Sequence, residues 1–194
     1  MEEYNRRVSQ QPLAERLRPK SIDDFVGQKA ALVPNGPLSR LVVGQGSGPM
    51  SSVLLWGPPG SGKTTLARLI ALSGKTKYVE LSAIDSSVSQ VRDVIQDARN
   101  LRDSFERPTV LFLDEIHRFS KAQQDSLLGA VESGVITLVA ATTENPSFSV
   151  IKPLISRSLV IELSPLQEEE ILTILQRART EPEFESFDVE DDAL

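Results

Sequence analysis

The sequence predicts an α/β fold, in which helices flank a five-stranded parallel sheet that carries a phosphate-binding loop. Three observations lead to this prediction. Short apolar runs alternate with amphipathic helical stretches, which is typical of parallel sheets with crossover helices. One apolar run leads into a glycine-rich loop that ends in Lys-Thr, and another ends in two acidic residues.

The glycine-rich loop is Gly57-Pro58-Pro59-Gly60-Ser61-Gly62-Lys63-Thr64, followed by Thr65. An apolar run precedes it and a helical pattern follows, which is the expected context of a P-loop. The glycines let successive backbone N–H groups turn toward one anion, and the helix N-terminus adds positive potential there. Lys63 is placed to reach the β- and γ-phosphates, and Thr64 to give its hydroxyl to Mg²⁺. A turn that only joined a strand to a helix would leave the Lys-Thr pair unexplained, so the loop predicts nucleoside triphosphate binding.

Asp114 and Glu115 end the apolar run that begins at Thr109. An acidic pair after a strand is also common as a charge pair at a helix N-terminus. In a chain that carries a P-loop, however, this pattern indicates a Walker B strand. Asp114 would then hold the Mg²⁺ shell, and Glu115 would polarise the attacking water as general base.

The remaining pattern completes the sheet. Apolar runs predict strands at residues 52–56, 77–81, 109–113, 135–141 and 159–163. Helical spacing of apolar residues predicts helices at residues 63–71, 88–105, 121–132 and 168–179. Pro108 ends the second helix and Gly134 the third. Residues 1–20 are polar and predicted to be extended, and 44–49 read as a flexible loop.

Composition bounds the function. With 194 residues and 40% apolar content, one principal domain is expected. Cysteine is absent and His117 is the single histidine, which excludes thiolate and histidine-cluster metal sites. The net charge of −6 argues against a surface that is basic throughout. An apolar N-terminal core and membrane-length runs are both lacking, so a cytoplasmic location is expected.

Three segments together resemble the AAA+ ATPases: Gly57–Thr65, Asp114–Phe119 and Ala141–Phe148. The chain is most similar to the replication-associated recombination protein A family, the bacterial relatives of the Werner-helicase-interacting ATPase. The stretches 12–19 and 24–28 also fit that family, so the resemblance runs from about residue 12 to residue 166.

The resemblance implies further roles. In this family a strip of residues lies against the adenine. The matching positions here are Arg18, Pro19, Val26, Gly27 and Gln28. Thr143 resembles the sensor-1 position, which senses the γ-phosphate or holds the water, with Thr142 and Asn145 as rivals. Arg157 resembles the arginine finger that clamp-loader-like ATPases insert into the neighbouring subunit's site. A solvated arginine at a turn is the alternative for Arg157.

The resemblance also divides the chain. It implies an extended arm at 1–20, an AAA+ core at 21–166, and the start of a helical lid with an acidic tail at 167–194. The family's sensor-2 arginine and assembly domain would lie beyond the chain end, so weak turnover is expected. Residues 84–90 differ from the usual sequence of the family, in a region that can face the central pore of the assembly.

The implied activity is Mg²⁺-dependent ATP hydrolysis in replication-fork maintenance, recombination and DNA repair. Implied partners are single-stranded or forked DNA, single-strand-binding protein, and copies of the chain in a homo-oligomer, tetrameric in the full-length family; the implied location is nucleoid-associated. Three alternatives stay open: a clamp-loader subunit, a Holliday-junction branch-migration motor, and a nucleotide-binding module without efficient turnover. We assign His117 and Arg118 no chemistry, and Trp56 to core packing.

Overall fold

The computed structural model describes residues 12–43, 50–73 and 76–180. These residues divide into two compact units, one within 28–165 and the other formed by the described parts of 1–27 and 166–194. The predicted loop at 44–49, the start of the arm and the acidic tail from residue 181 lie outside the described residues.

Within the described part of the larger unit, five strands form one parallel sheet in the order β2-β3-β4-β1-β5. The strands are β1 (Ser52–Trp56), β2 (Lys77–Ser82), β3 (Thr109–Asp114), β4 (Ile136–Thr142) and β5 (Ser158–Glu162). β1, β3 and β4 are central and almost entirely buried, whereas β2 and β5 form the partly exposed edges. This arrangement confirms the predicted fold class.

The helices among the described residues are α1 (Leu13–Arg16), α2 (Pro37–Val43), α3 (Lys63–Ser73), α4 (Val88–Phe105), α5 (Lys121–Glu132), α6 (Pro146–Ser149), α7 (Lys152–Ile155) and α8 (Glu168–Arg179), with a 3-10 turn at Ile116–Arg118. Capping boxes start α4 at Ser87 and α5 at Ser120. The sequence prediction missed α2, α6 and α7. These helices have seven, four and four residues, too few to show a 3.6-residue period.

One hydrophobic core cluster lies between the sheet and the helices α4 and α5. Its fully buried members include Leu111, Leu113, Ile116, Leu127 and Leu138. Each such side chain contributes roughly 1.5–3 kcal/mol through its removal from water. Because Ile116 belongs to this core, the 3-10 turn after β3 is fixed from within the protein.

The smaller unit contains α1 and α8. A helical turn occupies Leu13–Arg16, so the prediction that residues 1–20 are extended is wrong there. Arg177 donates a hydrogen bond to the carbonyl oxygen of Asp24. Gly27 has a φ of +85°, and a Cβ at this position would lie 2.7 Å from Leu166. None of the described helices is long and apolar enough to cross a membrane.

Candidate nucleotide-binding site

Strand register brings the predicted site residues to one edge of the sheet. Trp56, the last residue of β1, is opposite Thr142, the last of β4. Asp114 ends the neighbouring strand β3. Because all these strands are parallel, the loop and the acidic pair begin at the same carboxyl edge, where open α/β sheets bind ligands. The Gly57 N–H donates to the Thr142 carbonyl oxygen at 3.2 Å, which ties the start of the loop to β4.

Two glycines in the loop have different structural requirements. Gly57 has a φ of +152°, and a Cβ there would lie 2.3 Å from the Leu163 carbonyl oxygen. Only glycine allows that close approach. Gly60 has a φ of +76°, and a Cβ there would meet nothing within 4 Å. Gly60 is therefore required for its backbone conformation and not for space.

Lys63 begins α3 and is only 8% exposed. Its ammonium donates to the carbonyl oxygens of Gly57 at 2.9 Å and Pro58 at 2.8 Å. Burial lowers the pKa of Lys63 below its ordinary value, while the charges of Asp114 and Glu115 act in the opposite direction. An ammonium has three donors, so one remains for another acceptor.

The loop also offers hydrogen-bonding groups that the described protein residues do not satisfy. The Ser61 Oγ is buried and has no hydrogen-bond partner within the described part of the chain. The N–H groups of Gly60 and Gly62 donate to no acceptor among the described residues. Thr64 and Thr65 follow on the first turn of α3, where backbone N–H groups lack intrahelical partners. This set of donors around a buried cation fits the oxygen-rich surface of a triphosphate.

Asp114 and Glu115 are both half-buried. One carboxylate oxygen of Asp114 accepts the Glu115 N–H at 3.0 Å, which leaves the other for a metal ion. Glu115 has a left-handed backbone, with φ 55° and ψ 43°, and it precedes the 3-10 turn. This conformation is uncommon for a residue other than glycine, and strained residues cluster at functional sites.

His117 lies in this site, although the sequence analysis assigned it no chemistry. Its Nδ1 is 3.0 Å from Thr142 Oγ1 and 3.2 Å from Glu115 Oε2. The side chain of His117 is only 8% exposed. Its position as the single histidine, three residues after Asp114, was the signal in the sequence.

The three sensor-1 candidates have different surroundings. Thr142 is fully buried, and its hydroxyl is bonded to His117 and to the Glu144 N–H. The Asn145 side chain accepts the Ser147 N–H and caps α6. Thr143 is exposed, and its hydroxyl has no hydrogen-bond partner among the described residues. Of these three candidates, Thr143 is therefore the one whose polar side chain is available to a ligand.

Gln28 is the one member of the predicted adenine strip that belongs to the unit carrying the loop. Its buried amide donates to the carbonyl oxygens of Ser61 at 3.2 Å and Ser164 at 2.6 Å, and it accepts the Ser164 N–H at 3.0 Å. Arg18, Pro19, Val26 and Gly27 belong to the smaller unit. Gln28 thus holds the loop to the segment after β5.

Arg157 lies at the amino end of the parallel strands, on the side of the sheet away from the carboxyl edge that carries the loop. It precedes Ser158, which is opposite Ser52 at the start of β1, whereas the loop follows the end of β1. Its guanidinium pairs with Glu132 at 2.7 Å and donates to the Pro153 carbonyl oxygen at 2.9 Å. The side chain is 41% exposed.

Comparisons with known proteins agree with this geometry. Residues 53–166 match the family described as ATPase family associated with various cellular activities (AAA). Over 171 residues the chain is 54% identical to an uncharacterized AAA domain-containing protein of Mycobacterium tuberculosis. Over 168 residues it is 44% identical to replication-associated recombination protein A of Escherichia coli K12. These alignments cover 88% and 87% of the chain and 37% of each relative.

A solved structure is also similar. The Holliday junction branch migration motor RuvB of Thermotoga maritima superposes with a TM-score of 0.68 at 34% identity, over 84% of this chain and 54% of that one. The resemblance predicted from the motifs is confirmed by these relatives. The chain spans little more than a third of the length of the curated relatives it matches.

Proposed function

Since the chain belongs to the AAA family of ATPases, we propose that it hydrolyses ATP to ADP and phosphate in a Mg²⁺-dependent reaction. The observation that carries this proposal is the arrangement around Lys63. A buried cation lies near the carboxylates of Asp114 and Glu115 at one sheet edge. The Ser61 hydroxyl and loop N–H groups beside it have no partner among the residues that the structure describes. Binding alone would not require Glu115 in addition to Asp114.

Each residue has a distinct role in the proposed reaction. The loop N–H groups and Lys63 bind the phosphates, and Thr64 with Asp114 would hold Mg²⁺, which when bound neutralises charge on the β- and γ-oxygens. Glu115 accepts a proton from the attacking water. Thr143 orients that water or contacts the γ-phosphate. The adenine strip, Arg18, Pro19, Val26, Gly27 and Gln28, stays a prediction.

Arg157 would act on a neighbouring copy. Arg157 lies beside the start of β1, whereas the loop follows the end of β1. Six residues of strand separate the two levels, or roughly 20 Å at about 3.3 Å per residue. No arginine side chain spans that distance, so Arg157 cannot serve the loop of its own chain. Its partial exposure leaves it accessible to another copy. A guanidinium supplied in trans would couple hydrolysis to assembly.

Mixing two inactive variants tests this arrangement. Glu115→Gln lacks the base but keeps Arg157, and Arg157→Ala keeps the base. Each alone should hydrolyse ATP at a small fraction of the wild-type rate. A mixture should recover activity, because some sites then combine an intact base with a neighbour's arginine. Lys63→Ala is the blank, and absence of recovery with both variants folded would contradict action in trans.

The process that uses this ATPase activity is proposed from the relatives. The Escherichia coli relative is named as a replication-associated recombination protein. We therefore place the chain in replication-fork maintenance, recombination and DNA repair, as a DNA-dependent ATPase acting on single-stranded or forked DNA. Single-strand-binding protein, a homo-oligomeric and in full length tetrameric assembly, and a cytoplasmic, nucleoid-associated location are parts of the same proposal.

A branch-migration motor is the second candidate, favoured by the structural similarity to RuvB. Steady-state ATP hydrolysis, measured over a range of protein concentrations, separates the candidates when forked, gapped and four-way-junction DNA are compared. Preferential stimulation by forked or gapped DNA supports the first function, and preferential stimulation by junctions supports the second. Intact ATP binding with no hydrolysis at any concentration would leave a nucleotide-binding module.

A further inference from the structure

We propose that His117 is a positioning residue for Glu115, with its imidazole held as the Nδ1–H tautomer. This inference rests on the proposed role of Glu115 as general base. The geometry that carries it is a three-residue cluster at the sheet edge. One nitrogen, His117 Nδ1, lies within 3.2 Å of both the Glu115 carboxylate and the Thr142 hydroxyl.

The anchoring of His117 makes this cluster rigid. The ring is carried by the 3-10 turn Ile116–Arg118. Ile116, directly before His117, and Phe119, two residues after it, are buried at 0% and 3% exposure. The Phe119 N–H donates to the Ile116 carbonyl oxygen and closes the turn. His117 can therefore fix a neighbouring side chain, because its own position is determined by the core.

The neighbours determine the tautomer. An ionised carboxylate only accepts hydrogen bonds, so a lone pair on Nδ1 would face the Glu115 oxygen at 3.2 Å without an intervening proton. Electrostatic repulsion disfavours that arrangement. An Nδ1–H group donates to Thr142 Oγ1 and directs its partial positive charge toward the carboxylate. Thr142 has lone pairs for both this donor and the Glu144 N–H.

This arrangement gives the two oxygens of Glu115 different roles. Oε2 lies against the imidazole, whereas Oε1 has no partner among the described residues. Oε1 is then the oxygen that accepts the proton from water. The imidazole also joins the end of β3 to the end of β4, directly before Thr143. The cluster thus holds the base together with the residue directly before the sensor-1 candidate.

Glu144 is not part of the positioning contact. Its Oε1 lies 3.9 Å from His117 Nε2, which is too long for a hydrogen bond, and its side chain is 58% exposed. Glu144→Gln is therefore the matched control at the other ring nitrogen. We expect it to keep the wild-type tautomer and hydrolysis rate.

Because His117 is the sole histidine, ¹⁵N-histidine NMR of the whole chain gives one set of imidazole signals. The signals of the neutral imidazole should show a protonated Nδ1 and an unprotonated Nε2. The opposite pattern, with the proton on Nε2, would overturn the inference. This measurement does not depend on hydrolysis, so it separates a failure here from a failure of the proposed ATPase function.

Kinetics provide the second test. His117→Leu should lower kcat about tenfold, the equivalent of losing one charge-assisted contact, with the KM for ATP within about twofold. His117→Asn can return an N–H near the Nδ1 position and should keep at least about half of the wild-type kcat. In a Glu115→Gln background, His117→Leu should cause no further loss. Wild-type kcat in His117→Leu, or equal loss in the Leu and Asn variants, would refute the positioning role.

Discussion

Replacing Gln28 by Leu tests whether a buried amide holds the phosphate-binding loop in place. Gln28 is 8% exposed and forms three hydrogen bonds, one to the loop at Ser61 and two to Ser164 after β5. Leucine has a similar size and keeps the burial but removes all three bonds. The variant therefore isolates the polar contribution.

The expected loss follows from the partners. Ser164 is exposed, so its backbone groups can bond to water once the amide is gone. Each of the two hydrogen bonds between Gln28 and Ser164 is therefore worth about 1 kcal/mol. Ser61 is buried, and its stranded carbonyl oxygen costs about 1–3 kcal/mol. Leucine regains about 1 kcal/mol from apolar burial. The free energy of unfolding should fall by about 2–4 kcal/mol, or roughly 5–15 °C in Tm.

The assay is urea unfolding followed by fluorescence of Trp56, the sole tryptophan, which ends β1 directly before the loop. The matched control is Gln96→Leu, the same substitution at an exposed position of α4, which should change stability by no more than about 0.5 kcal/mol. Gln28→Leu should also weaken ATP binding, because Ser61 loses a support. A midpoint no lower than that of Gln96→Leu would refute the reasoning.

Three further predictions test other parts of the site. Folding lowers the pKa of Lys63, so the unfolded chain binds more protons than the folded chain at alkaline pH. The free energy of unfolding of wild type should therefore rise relative to that of Lys63→Met as pH approaches 10.5. A difference between the two that stays constant with pH would contradict this. Gly57→Ala should lower the free energy of unfolding by more than about 3 kcal/mol, because its Cβ would clash with the Leu163 carbonyl oxygen. Gly60→Ala should lower it by about 1 kcal/mol, from the strained φ alone. Equal melting temperatures of the two variants would refute the distinction. Gln124→Leu should cost about 3 kcal/mol in urea unfolding, because this buried amide makes three hydrogen bonds to two separate segments, the turn that ends at Phe119 and residues 149–151, and a loss below about 1 kcal/mol would contradict that role.

Local patterns predicted most of the sheet and the loop. The strands and long helices were found because burial on both faces gives continuous apolar runs and burial on one face gives a helical period. Strand ends were displaced by one residue: β4 begins at Ile136 and not at Val135, and β5 at Ser158 and not at Leu159. The apolar pattern does not resolve the last hydrogen bond of a ladder.

Contacts between distant segments could not be predicted in the same way. Gln28 and Ser164 are 136 residues apart in sequence, and their pairing depends on β5 lying beside β1. Gln124 looks like an ordinary polar residue in an amphipathic helix, yet it is 1% exposed and satisfies the backbone around the 3-10 turn. The Walker B motif predicted Glu115 as the base, whereas the proposed role of His117 depends on its contact with Thr142 of β4, 25 residues away in sequence.

The buried polar residues explain why this sheet edge is suited to chemistry. Gln28, Ser61, Lys63 and Thr142 are all buried in or beside the carboxyl edge. Gln28 and Thr142 are satisfied by the protein, and they hold the loop and the acidic turn in place. The Ser61 hydroxyl has no partner among the described residues, and the lowered pKa of Lys63 means that the protein does not fully offset the cost of burying its charge. The groups proposed to bind phosphate, Ser61 and Lys63, are therefore incompletely satisfied, while Gln28 and Thr142, which hold them in place, are satisfied. In this proposal, stability is given up only where affinity for an anion is gained.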